Sequence, residues 1–134
     1  MPIILSSLDK AINSLDRAII RSVAAPEDEE LRDAVIQRFE YTYELCWKLL
    51  KRRLESDSPN PALLDTMNFK DMIRLGAETG YIAEPQKWFE YREQRNKTVH
   101  IYDEREAKKV YQAVLGFITD AKLLYENLLI GNDD

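Results

Sequence analysis

Cysteine and histidine each occur once in this 134-residue chain, as Cys46 and His100. A lone cysteine excludes a disulfide framework and a cysteine-based zinc site. A lone histidine excludes a histidine-rich metal site within one chain, and it leaves one imidazole for any proton transfer. Only four glycines and five prolines punctuate the sequence, too few for a sandwich or barrel of many tight turns. Long apolar runs are missing as well, and none approaches the roughly 18 residues that a membrane span needs. The apolar stretch from Met1 to Leu5 is short and soon meets Asp9 and Lys10, unlike a signal peptide. A soluble cytoplasmic protein with no membrane partner is expected. Positive charge is in deficit: 19 Lys and Arg face 24 Asp and Glu, for a net charge of −5. That balance excludes a generic, non-specific nucleic-acid coat.

What is present reads as helix. Hydrophobic residues make up 45% and charged residues 32%, a globular balance, and the length fits one domain over residues 1–134. Leu5, Leu8, Ile12, Leu15 and Ile19 recur at three and four, which predicts an amphipathic helix over about 5–23. Pro26 and the acidic run from Glu27 to Glu30 suit the first turn of a second helix, where carboxylates offset the dipole. That helix is expected over about 27–56, on the order of 45 Å long. It carries two stripes, one through Leu31, Val35, Phe39, Thr42, Cys46 and Leu49, the other through Glu40, Tyr43, Trp47, Leu50 and Leu54. So wide an apolar arc marks either a central helix or one that also serves a subunit interface. Lys48, Lys51, Arg52 and Arg53 crowd its end, either for dipole compensation or for nucleic-acid contact.

Residues 56–67, with Ser58, Pro59, Asn60 and Pro61, read as a loop. Asn68 is the expected cap of a short helix that Gly80 stops. Pro85 opens the next helix, and Asp103 with Glu106 forms an acidic capping box for the last one. That helix turns Val110, Val114, Phe117, Ala121, Leu124 and Leu128 inward. The expected fold is all-α, an antiparallel up-down four-helix bundle with one extra short helix.

The only histidine stands in Arg95-Asn96-Lys97-Thr98-Val99-His100-Ile101-Tyr102, where the fourth long element should end. Arginine matches phosphate oxygens with a planar fork, and histidine moves protons near neutral pH. Residues five apart on an ideal helix point about 140° apart, so Arg95 and His100 converge only if the helix unwinds between them, and the cap at Asp103 says it ends nearby. A lone histidine at a helix C-terminus also serves the dipole, and the chemistry of these residues leaves both roles open. Cys46 reads as core, Trp47 and Trp88 as packing before base stacking, and Glu44 with Lys48 as a surface ion pair.

The motif R-x4-H-x-Y, here Arg95, His100 and Tyr102 in RNKTVHIYDE, resembles the signature of HEPN-domain proteins. More narrowly it is similar to the HepT-type branch, long labelled nucleotidyltransferase substrate-binding proteins. FEYTYELCWKLLKRRL at residues 39–54, FKDMIRLGAETGYI at 69–82 and Trp88 fit that branch in order, over nearly the whole chain. The resemblance implies a helical bundle that pairs into a homodimer, alone or within a larger hetero-oligomer. It implies metal-independent RNA cleavage at a cleft across the dimer axis, with no cofactor. Arg95 and His100 would be the catalytic pair, and Asn96 and Glu44 supporting residues. A partner, a minimal nucleotidyltransferase, would act as antitoxin by transferring AMP to Tyr102. The alternative is a non-catalytic docking subunit of that transferase. The chain has no P-loop, Rossmann glycines, serine triad or paired-aspartate transferase motif of its own. RNA contact would be confined to a basic cleft around Arg92, Arg95 and Lys97.

Overall fold

The computed structural model describes residues 2–100 and 103–132, with His100 described by its backbone alone. The fold is an all-α bundle of α1 (Ser6–Ala24), α2 (Glu29–Asp57), α3 (Leu63–Thr66), α4 (Phe69–Glu78), α5 (Pro85–Lys97) and α6 (Glu104–Gly131). A 3-10 turn, Thr98–His100, continues α5. No strand occurs among the described residues.

The helices α1 and α6 bury the stripes their spacing predicts, and α2 buries most of both of its own. Leu8, Leu15, Phe39, Thr42, Cys46 and Val114 are wholly enclosed, and every inward residue expected of α6 is in the core. The hub is α2, which packs against the other five helices. This explains its wide apolar arc without recourse to a second subunit. The centre of the core is aromatic: Phe117 meets Phe39, Tyr91 and Trp88 edge-on, with centroids 5.0, 5.1 and 5.7 Å away. Edge-on pairs place the positive rim of one ring on the negative face of the next.

Local chemistry sets the helix ends. The side chains of Asp28, Asn68 and Asp103 each accept the backbone N–H three residues on, at 3.1, 2.8 and 2.8 Å. Pro85 starts α5, and Gly80 stands after α4 with a φ of 89°, the left-handed region that favours glycine. Where the last helix begins, Arg32 Nη1 donates to both carboxylate oxygens of Glu104 at 2.9 and 2.7 Å, tying the starts of α2 and α6 together.

Three expectations need correction. First, α2 begins at Glu29 behind the cap at Asp28, so Pro26 lies in the preceding turn and not in the helix. Second, the presumed loop at 56–67 contains α3, a single helical turn that buries Leu64. The bundle therefore has two short helices beside its four long ones. Third, the cationic cluster of α2 does not sit in its last turn, and most of it is engaged. Lys48 pairs with Glu44, Lys51 with Asp65 at 3.1 Å, and Arg53 is 2% exposed. Its guanidinium donates to Asn132 Oδ1 and lies 5.6 Å from the centre of the Tyr81 ring. Neither a free dipole charge nor a nucleic-acid contact describes Arg53.

Candidate functional site

Arg95 lies in the last turn of α5 with Lys97, where the negative end of the helix dipole favours cations. The helix then tightens. Thr98 Oγ1 donates to the Arg95 carbonyl at 2.7 Å, and the chain enters the 3-10 turn that ends at His100. A 3-10 turn has about three residues per turn against 3.6, so it carries Arg95 and His100 slightly further apart about the axis, to roughly 160°. This turn winds the chain rather than unwinding it, so the backbone of one chain does not by itself bring the two residues together. The His100 imidazole, Ile101 and Tyr102 lie outside the described residues, and the capped start of α6 follows at Asp103.

Glu44 reaches Arg95 from the middle of α2. Its Oε1 is 3.3 Å from Arg95 Nε, with the two side chains 33% and 27% exposed. The pair is an ion contact without an aligned hydrogen bond, and Nε is buried without a hydrogen-bond partner among the described residues. Glu44 also faces Lys48 at 3.9 Å, so the surface pair read from sequence is present, but it is the looser of two contacts. A half-exposed pair of this kind holds geometry more than it adds stability.

Arg95 and Glu44 open onto a cleft of about 340 Å³ between α2, the α3 turn, the start of α4 and α5. Asn96 also lines it, so three of the five expected site residues share one surface. Tyr43, Trp47 and Phe69 supply aromatic wall. Lys51, Arg92 and Arg95 supply positive charge, with Glu44 and Asp65 against them. The cleft is therefore of mixed charge, not the basic patch the sequence suggests, and Lys97 is not part of its lining. The Arg92 guanidinium lies 4.5 Å from the centre of the Phe69 ring, a cation on an aromatic face. The Tyr43 hydroxyl is buried without a partner among the described residues. Burial pushes its pKa up, and the nearby Arg92 pulls it partly back, so it stays a neutral phenol.

Sequence reasoning missed Asn68, Phe69 and Tyr43 as members of this surface. Asn68 reads as a cap, and Tyr43 and Phe69 read as packing. All three descriptions are correct, yet the fold adds a second role. Trp88 is 3% exposed and belongs to the core, while Trp47 is half-buried at the cleft. Cys46 is wholly buried, and burial raises its thiol pKa, so it has no thiolate to offer. No group of three or more His, Cys, Asp or Glu side chains is placed to hold a metal ion among the described residues. None of the described helices is long and apolar enough to cross a membrane.

The comparisons with known proteins agree with this fold. Residues 4–130 match the model of the family described as nucleotidyltransferase substrate binding protein like. The chain is 33% identical over 132 residues to a probable ribonuclease HepT of Haemophilus influenzae, covering 92% of this chain and 90% of that protein. It superposes with a TM-score of 0.89 and 32% identity on a Haemophilus influenzae structure reported as the fold of a substrate binding domain of a nucleotidyltransferase. That match covers 94% of this chain and 99% of the other. A Thermus thermophilus crystal structure matches with a TM-score of 0.69 and 28% identity, over 95% of this chain and 99% of the other. An all-helical bundle, matched from end to end by these relatives, places this chain in the nucleotidyltransferase substrate binding protein family.

Proposed function

We propose that this chain is a metal-independent, HEPN-type endoribonuclease built as one domain, with Arg95 and His100 as its catalytic pair. The observation that supports this reading best is Arg95 itself. It is held by Glu44 at the end of α5, beside a cleft of mixed charge and aromatic wall, just ahead of the turn that carries His100. Its likeness to a probable ribonuclease HepT points the same way.

The chemistry needs two protonic groups. A base removes the 2′-hydroxyl proton, the 2′-oxygen attacks phosphorus, and the bond to the 5′-oxygen breaks as an acid protonates that oxygen. The products are a 2′,3′-cyclic phosphate and a 5′-hydroxyl. One imidazole serves one of these roles at a time. In a homodimer with His100 near the two-fold axis, each chain supplies one imidazole, and two Arg95 guanidiniums stabilise the charge that builds on phosphorus. Glu44 orients Arg95, and Asn96 offers an amide to the strand. Tyr102, two residues past His100, is the site of AMP transfer by a minimal nucleotidyltransferase acting as antitoxin. The added phosphate pairs with Arg95 and occupies the place of the RNA phosphate. The compartment for this pair is the cytoplasm.

The test is RNA cleavage by the purified protein. Wild type should cut single-stranded RNA, and Arg95→Ala or His100→Ala should lose about 100-fold or more of the rate. Mixed dimers with one His100→Ala chain should be nearly as inactive; full activity in them would remove the shared-site mechanism. Tyr102→Phe should stay active in cells that express the transferase.

The second reading, a docking subunit that presents substrate to a nucleotidyltransferase, is favoured by the family's description and by the Haemophilus structure. Stable binding of the transferase by a chain that leaves RNA intact would establish it over the first.

A further inference from the structure

We infer that the cleft beside Arg95 is a base subsite, which takes one unstacked nucleotide of a single-stranded RNA next to the phosphate that Arg95 engages. Trp47 and the paired Arg92 and Phe69 are its walls. The inference rests on the ribonuclease reading and names part of its substrate.

Size is the first argument. A volume of about 340 Å³ is at the low end for small-molecule sites, so it suits one nucleotide and no paired helix. The second is the nature of the walls. The Arg92 guanidinium lies over the Phe69 ring, 4.5 Å from its centre, and Arg92 is exposed. Trp47 is half-buried on the same cleft. Aromatic rings and guanidinium planes are the surfaces on which splayed-out bases stack.

Hydrogen-bonding capacity is the third argument. Asn68 uses Oδ1 to cap α4, which leaves its amide NH2 to donate to the edge of a base. Continuity is the fourth. Arg95 and Asn96 line the same cleft, so one strand reaches both the phosphate contact and the stacking walls.

A free mononucleotide and a nucleotide within RNA present the same base, so the experiment has two arms. In the first, a labelled, uncleavable 2′-O-methyl single strand is titrated into the full-length protein, with AMP, GMP, CMP and UMP as competitors. Trp47→Leu and Arg92→Gln should each weaken strand binding about fivefold or more, and Trp47→Phe, which keeps a ring, should restore it. Arg92 is exposed, so Arg92→Gln keeps the test decisive if Trp47→Leu fails to fold. In the second arm, cleavage positions are mapped on a mixed-sequence RNA. Wild type should show a base preference at one position beside the cut, and Trp47→Leu should flatten it. Unchanged binding and unchanged preference in the variants, with wild type cutting RNA, would overturn the subsite and leave the nuclease standing. Variants that weaken mononucleotide binding alone would also overturn it, by making the cleft a free-nucleotide site. A wild type that cuts no RNA removes the nuclease and the subsite together.

Discussion

Arg53 lies in a run of cations near the end of a helix, and from sequence it has the same standing as its neighbours. In the fold it is 2% exposed, bonded to Asn132 and laid against Tyr81, while Arg52 next to it faces solvent. Asn132 in turn accepts the Ile3 N–H at 3.0 Å and donates to the Ile3 carbonyl at 2.7 Å, so Arg53 anchors both chain ends. Arg53→Met should destabilise the protein by about 2 kcal/mol, the scale of a buried charge-assisted hydrogen bond, in urea unfolding. Gly131→Ala should also destabilise it, because a Cβ there runs into the Arg53 guanidinium. The tyrosines give a pH prediction. Burial raises the phenol pKa of Tyr43 and of Tyr91, and for Tyr91 the hydrogen bond to Asp120 adds to it. A group raised in the folded state contributes stability that is complete below its unfolded pKa. Stability should therefore hold up to about pH 10 and fall as the pH rises further, when the unfolded phenols ionise. Tyr91→Phe should reduce that alkaline slope.

At the scale of elements, the caps are the clearest case of local control. Asn68 and Asp103 were legible because an Asx side chain followed three residues later by its backbone partner needs no tertiary help. Asp103→Ala should cost about 1 kcal/mol by thermal or urea unfolding, and Asp103→Asn should recover most of it. The same reasoning shows why α3 was not legible. A helix of four residues in a proline-rich stretch has no period to read, and it forms because it carries Leu64 into the core. The end of α5 falls between. The cap at Asp103 placed the helix end nearby, but the 3-10 turn that extends α5 to His100 is a property of the folded chain.

For the whole molecule, the aromatic centre joins α2, α5 and α6, and Phe117 touches rings from two of these helices. Phe117→Ala should cost about 3–5 kcal/mol and broaden or lower the unfolding transition. Hydrophobic periodicity was enough to specify the helices, their inward faces and the all-α class, because each helix must bury its own stripe wherever its neighbours lie. The spacing of Arg95 and His100, with the family resemblance it carries, named the chemistry to expect. It did not determine what surrounds Arg95. Glu44, Trp47, Asn68 and Phe69 come from other elements, 26 to 51 positions earlier in the chain, and no local pattern links them. Only the packing of α2, α4 and α5 turned a suspected basic patch into a cleft of mixed charge and aromatic wall, since side chains distant in sequence become neighbours only once the bundle has closed.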